Sequence, residues 1–134
     1  MGLNPGNNLR LLAVDDDAAS AELVVRVAER CGYEAFATSD SRGVVNLAKA
    51  LNPDVMAVDI CMPNIDALEL FKLLAEAEYK GRVLVVSGQE EQVLESARST
   101  AIALGLSVPC VMQKPLDFKK LREMLISDEV RMVA

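Results

Sequence analysis

The chain has 134 residues, of which 51% are apolar and 25% are charged, a length and balance that suit one globular domain. Its formal charge of −6 disfavours direct binding to nucleic acid or to an anionic membrane, and no apolar run approaches the roughly 20 residues that span a bilayer. The absence of histidine excludes Ser-His and Cys-His nucleophile pairs and a histidine general base.

Five short apolar runs alternate along the chain with segments of helical periodicity, and each run is predicted to form a strand. The runs cover residues 11–14, 33–38, 55–58, 83–86 and 108–112. Their apolar character is nearly continuous, which indicates that both faces of the strands are buried. This pattern is typical of a parallel sheet covered by helices.

The segments that follow the runs carry the start and stop signals of helices. Side chains that can cap a helix, or begin its first turn, predict starts at Asp17, at Asp40 or Ser41, near Glu90 and at Asp117. Gly32 and Gly105 are expected to end two of these helices. The apolar positions expected to face the core include Leu23, Val93 and Phe118.

The alternation of strands and helices predicts an α/β fold, a doubly wound five-stranded parallel sheet with helices on both faces. This domain is expected to occupy residues 9–127. Residues 1–8, rich in Gly, Asn and Pro, are predicted to form a flexible arm, and residues 128–134 a C-terminal tail or the start of a linker. Cys31, Cys61 and Cys110 are odd in number and form no CxxC pair, so we expect neither a zinc site nor a disulfide framework, and a reducing cytoplasm is the simplest setting.

Unusual polar residues follow four of the predicted strands. Asp15 and Asp16 follow the first strand, Asp59 the third, Ser87 the fourth and Lys114 the fifth. The carboxyl ends of parallel strands share one edge of a sheet, so these side chains are expected to converge where such folds bind ligands. Three carboxylates and one ammonium leave a local charge of −2 there, which one divalent cation with oxygen ligands would neutralise. Asp59 is then a candidate nucleophile for phosphoryl transfer.

In these segments the sequence resembles the receiver domains of two-component response regulators. The resemblance is carried by LAVDDD at residues 12–17, VDICMP at residues 58–63, VSG at residues 86–88 and Lys114-Pro115. It implies a flavodoxin-like sheet of strand order 2-1-3-4-5. It also implies that Asp59 receives a phosphoryl group from a sensor histidine kinase or a histidine phosphotransfer protein.

The resemblance further implies which residues hold Mg2+, with Mn2+ as a substitute. The Asp16 and Asp59 side chains and the Cys61 backbone carbonyl would bind the ion, and Asp15 would assist mainly through bound water. Ser87 would move toward the phosphoryl group, and Lys114 would bind it. The Lys114-Pro115 peptide bond would be cis, as is common in this family.

Three features depart from the family pattern or extend it. Val111 stands where the family often has an aromatic residue that rotates on activation. Cys61 and Gln89 lie two positions beyond Asp59 and Ser87, where side chains could tune the rates of phosphorylation and hydrolysis. The segment from Gly105 towards the lysine is similar to receivers attached to EAL-type output domains, for which 134 residues leave no room.

Three functions are consistent with the sequence to different degrees. The leading interpretation is a phosphorylation-controlled signalling switch that acts on an output domain, a partner protein or a second copy of the chain. The second is a pseudo-receiver, a protein-interaction scaffold that does not use phosphate, which Val111 favours and the intact acids oppose. A third, a small enzyme or nucleotide-binding domain, is disfavoured because neither GxGxxG nor a P-loop follows the first strand.

Overall fold

The computed structural model describes residues 9–61, 66–127 and 130, which form one α/β domain. Its elements in chain order are β1 (Arg10–Val14), α1 (Ala18–Arg30), β2 (Glu34–Thr38), a short 3-10 helix (Ser41–Gly43), α2 (Val44–Leu51), β3 (Val55–Asp59), α3 (Ala67–Glu76), β4 (Arg82–Ser87), α4 (Glu91–Ala103), β5 (Ser107–Gln113) and α5 (Phe118–Ile126). Each predicted strand lies within, or overlaps closely with, an observed one. The predicted arm 1–8 lies outside the described residues.

The five strands form one parallel sheet in the order β2-β1-β3-β4-β5. The predicted doubly wound fold and strand order are therefore confirmed. The order reverses between β1 and β3, which pair directly, with Val14 opposite Val58. Asp15 and Asp59 follow these two residues, so the topology places both carboxylates at the switch point where sheets of this class bind ligands.

The near-continuous apolar runs are explained by two cores, one on each face of the sheet. In β1, Leu12 and Val14 face the core under α2, α3 and α4, whereas Leu11 and Ala13 face the core under α1 and α5. Successive side chains of a strand point to opposite faces. A strand that is covered on both faces therefore needs apolar residues at both sets of alternate positions. The buried sheet between the two cores is a rigid base for the functional edge, which is the edge at the carboxyl ends of the strands, where Asp15, Asp59, Ser87 and Lys114 lie.

Aspartates cap most of the longer helices. Asp17, Asp66 and Asp117 accept hydrogen bonds from backbone N–H groups in the first turns of α1, α3 and α5. Asp40 caps the short 3-10 helix, so α2 begins a turn later than its predicted start. The N-cap residue of α4 is Glu90, and its side chain makes no capping hydrogen bond within the described part of the chain.

The predicted orientation of three apolar side chains is wrong. Leu23 is 44% exposed, Val93 44% and Phe118 41%. On α1 and α4 the neighbouring residues Val24 and Leu94 are the buried ones, and a step of one residue turns a helix by about 100°. Phe118 is the first residue of α5, where the helix extends past the core that Leu121 and Leu125 fill.

Two glycines and one proline have the backbone conformations that were expected of them. Gly32 and Gly105 adopt positive φ angles of 92° and 98° two residues after the last residues of α1 and α4, as expected of residues that end helices. The Lys114-Pro115 peptide bond is cis, as the resemblance implied. Val130 is buried in the core under α1 and α5. Among the described helices, none has the length and apolar character needed to cross a membrane.

Candidate functional site

The site begins with Asp15, which follows the buried strand β1. Its backbone N–H donates to the carbonyl of Thr38 on β2, at a distance of 3.1 Å. Its Oδ1 accepts a hydrogen bond from the Asp17 N–H at 2.9 Å, and its side chain is 8% exposed. Burial raises the pKa of the Asp15 carboxyl above its ordinary value, and this effect outweighs the hydrogen bonds with Lys114 and Asp17 that lower it. Asp16, the next residue, is exposed.

Asp59 is the last residue of β3 and is 6% exposed. Its Oδ1 accepts a hydrogen bond from the backbone N–H of Cys61 at 2.8 Å, so the turn after the strand orients the carboxylate. The strand itself is buried along its whole length. Asp59 therefore presents its carboxylate from a rigid support at the edge of the sheet.

Lys114 connects the two buried carboxylates. Its Nζ lies 2.7 Å from Asp15 Oδ2 and 3.0 Å from Asp59 Oδ2. Burial by itself would lower the pKa of the lysine, but its hydrogen bonds with Asp15 and Asp59 outweigh burial and raise that pKa above its ordinary value. Lys114 therefore stays charged and holds two like charges close together.

Ser87 completes the edge from the neighbouring strand. It ends β4, is fully buried, and pairs with Gln113 of β5. Its carbonyl accepts a hydrogen bond from the Lys114 N–H at 2.8 Å, and its Oγ accepts one from the Gln89 N–H at 3.2 Å. A hydroxyl that accepts one hydrogen bond still has its own proton to donate.

The acids form a donor set that suits a hard divalent cation. Asp15, Asp16 and Asp59 each have a carboxylate oxygen within 4.8 Å of the others. Mg2+ and Mn2+ bind carboxylate oxygens in this way. The charge of these three groups is −3, and Lys114 returns +1, so a charge of −2 remains. A divalent cation fits both the oxygen ligands and this residual charge.

The structure brings the predicted site residues to one edge, although the chemical role of each stays a prediction. Lys114 contacts Asp15 and Asp59 directly, and Asp16 completes the acidic cluster with them. Sequence reasoning missed Gln113, whose side-chain Nε2 donates to the carbonyl of Gln89 at 3.0 Å. Gln113 is exposed, and an exposed glutamine at the end of a strand gives no sequence signal for a specific bond.

The fold and the site together define a class of protein. A sheet of order 2-1-3-4-5 with acids after its first and third strands, and a lysine after its fifth, is an aspartate-centred receiver architecture. A family model described as the response regulator receiver domain matches residues 11–126. The chain belongs to this family and is a signalling domain of two-component systems.

Individual relatives agree with this assignment. The chain is similar to the chemotaxis protein CheY of Thermotoga maritima, with 30% identity over 69% of this chain and 79% of that protein. It is 26% identical to the alkaline phosphatase synthesis regulator PhoP of Bacillus subtilis over 81% of this chain, but spans only 43% of PhoP. A response regulator crystal structure from Colwellia psychrerythraea superposes with a TM-score of 0.78 at 28% identity and covers 90% of this chain and 96% of that one.

Proposed function

We propose that Asp59 accepts a phosphoryl group and that this modification switches the interactions of the domain. The observation that supports this most strongly is the position of Lys114, which bridges Asp15 and Asp59 at 2.7 Å and 3.0 Å. A cation held between two buried carboxylates is already placed beside the anionic oxygens that a phosphoryl group would bring. The donor would be a sensor histidine kinase or a histidine phosphotransfer protein, and the setting the cytoplasm.

The reaction is a displacement at phosphorus. An Asp59 carboxylate oxygen forms a bond to phosphorus, the P–N bond to the donor's phosphohistidine breaks, and its electron pair leaves with the imidazole nitrogen. Lys114 pairs with one phosphoryl oxygen, and the Ser87 hydroxyl donates its proton in a hydrogen bond to another. Hydrolysis reverses the state, because water oxygen bonds to phosphorus and the Asp59 carboxylate leaves.

Mg2+, or Mn2+ in its place, would be held by the side chains of Asp16 and Asp59 and by the Cys61 carbonyl, with Asp15 assisting through water. When bound, the cation supplies positive charge that offsets the charge of the acids and of the phosphoryl oxygens. This assignment predicts that Asp16→Ala weakens Mg2+ binding severely in a calorimetric titration. An unchanged affinity would remove Asp16 from the site.

Phosphoryl uptake tests the proposal directly. The wild type is incubated with acetyl phosphate and Mg2+, and its intact mass is measured. We expect a gain of one phosphoryl group in the wild type and no gain in Asp59→Asn. Asp117→Asn is the matched control, because it makes the same carboxylate-to-amide change at a helix cap where Asn serves as well as Asp.

The competing scaffold function predicts a different result. If the wild type gains no mass with acetyl phosphate or a kinase, and binds no beryllofluoride, the domain does not use phosphate. The target of the signal also stays a prediction. It would be an EAL-type output domain, a partner protein or a second copy of the chain in a homodimer. Size measurements with and without beryllofluoride distinguish the homodimer from the other two.

A further inference from the structure

A chain of neutral hydrogen bonds links β5 to the loop that follows β4. Gln113 Nε2 donates to the Gln89 carbonyl at 3.0 Å, and the Gln89 N–H donates to Ser87 Oγ at 3.2 Å. The Gln89 side chain reaches the other way, and its Nε2 lies 3.4 Å from Cys61 Sγ. Because the Cys61 N–H binds Asp59 Oδ1, Gln89 lies between the strand-five glutamine and the turn that orients Asp59.

The apolar packing beside this chain of bonds leaves a space open. A cavity of about 310 Å³ lies between the start of α4, the end of β5 and the start of α5, and Leu94, Val111 and Gln113 are among the residues that line it. Val111 is half-buried and packs against the core under α2, α3 and α4. A displacement of the loop can therefore reach the end of β5 through the side-chain bond of Gln113 as well as through the backbone bond from the Lys114 N–H to the Ser87 carbonyl.

The middle and the N-terminal end of α4 are attached differently. Arg98, in the middle of the helix, donates to the carbonyls of Val108 and Pro109 at 2.9 Å and 3.2 Å, which ties the helix to the start of β5. The N-terminal end begins directly after Gln89, and the Glu90 side chain makes no capping bond to the described residues. The end nearest the site is thus the end that can move with least loss of hydrogen bonding.

We propose that Gln113 is a positioning residue that ties residues 87–89 to the end of β5 and transmits their displacement to that strand. This inference rests on the proposed function. When the Ser87 hydroxyl turns toward a phosphoryl oxygen, the Gln89 N–H must follow or lose its acceptor. The Gln89 carbonyl moves with the same residue, so the Gln113 side chain and the strand that bears it respond. Gln113 touches no reacting atom and acts through Gln89.

The test compares the wild type with Gln113→Leu, which keeps the approximate volume and removes the donor. In the resting state we expect the Gln89 amide proton to exchange with solvent about two- to tenfold faster in the variant, the range that one neutral hydrogen bond supports. With Mg2+ and beryllofluoride, the NMR shift changes of the Val111 and Met112 amides should fall to about half or less. Phosphoryl uptake at Asp59, measured by mass, should persist.

Gln92→Leu is the matched control, because Gln92 is exposed on the first turn of α4, three residues from Gln89. It should behave as the wild type in all three measurements. Strand-five shift changes in Gln113→Leu as large as in the wild type, or an unchanged Gln89 exchange rate, would overturn the inference while leaving the proposed function intact. A wild type that takes up neither phosphoryl group nor beryllofluoride overturns both. Gln113→Glu, an isosteric change, provides a second variant without the donor if Gln113→Leu is unstable.

Discussion

The two halves of the functional edge are held by different kinds of bond. At the ends of β1 and β3, both oxygens of Asp15 and both oxygens of Asp59 accept hydrogen bonds, and one partner of each carboxylate is the Lys114 ammonium. At the end of β4, the loop of residues 87–89 is held by neutral bonds of 2.8–3.2 Å.

The difference in bond type distinguishes the part of the edge that is suited to phosphoryl transfer from the part that is suited to movement. Charge-assisted hydrogen bonds are roughly twice as strong as neutral ones, so the acids are preorganised for a reaction at Asp59. Neutral bonds that involve the exposed residues 88 and 89 can be exchanged for others at small cost in free energy. The acid half of the edge is therefore suited to binding and transfer, and the loop half to a change of arrangement.

Removal of Lys114 should have the largest effect on stability, because it leaves the negative charges of the acid half without the positive charge that offsets them. Lys114→Met leaves Asp15 and Asp59 buried without their cation, and we expect the unfolding free energy of the metal-free chain to fall by about 1–3 kcal/mol, allowing for partial exposure of the lysine. Mg2+ should bind the variant more tightly than the wild type, since a competing positive charge is gone. Urea unfolding with and without Mg2+ measures both effects.

Lys120→Met is the control for this change. Lys120 is exposed on α5, so the same loss of charge there should leave both stability and Mg2+ affinity near their wild-type values. An equal loss of stability in the two variants would show that Lys114 does not balance the acids. The comparison between the halves of the edge would then lose its electrostatic basis.

Asp15→Asn should separate binding from stability within the acid half. Because burial raises the pKa of Asp15 above its ordinary 3.8, the ionised form costs the native state free energy at neutral pH. The metal-free variant should therefore melt at a higher temperature than the wild type, although its Mg2+ affinity should fall by about tenfold or more. Thermal melts and Mg2+ titrations are the measurements.

The pH dependence of this difference has a definite sign. A carboxyl group with a raised pKa contributes stability below its unfolded pKa and loses that contribution as the pH rises through its folded pKa. The advantage of Asp15→Asn should thus be present at neutral pH and disappear as the pH falls through the raised value towards 3.8. A constant difference between Asp15→Asn and the wild type across this pH range would contradict the assignment.

The smallest effect is expected from giving α4 the cap that it lacks. Glu90→Asp places a short carboxylate at an N-cap with extended backbone angles, and it should raise the unfolding free energy by about 0.5–1 kcal/mol. Amide exchange in the first turn of α4 should slow. The response of α4 to beryllofluoride should shrink, because a charge-assisted bond would then hold the start of the helix in place.

Asp117→Glu is the opposite change on a capped helix. Its longer side chain should lose the bonds to the Lys119 and Lys120 N–H groups and destabilise α5 by about 1 kcal/mol. If Glu90→Asp leaves both stability and exchange unchanged, then a missing cap is not what makes the start of α4 movable.

Much of the fold followed from patterns that are local in the sequence. Continuous apolar runs such as residues 55–58 specify strands that are buried on both faces, and Asp17 and Asp117 specify helix starts because their side chains reach N–H groups two residues away. The inward faces were less predictable. Leu23 and Val93 are apolar but exposed, since the neighbouring Val24 and Leu94 fill the space that the sheet leaves.

The sequence by itself determined which groups meet at the edge, because all strands of a parallel sheet have their carboxyl ends on the same side. Asp15, Asp59 and Lys114 could be assigned to that edge from their places after apolar runs. Only the tertiary structure decided the bonds between them. The bridge from Lys114 to two carboxylates and the bond from Gln113 to Gln89 join residues 99, 55 and 24 positions apart, and such distances depend on how strands and helices pack.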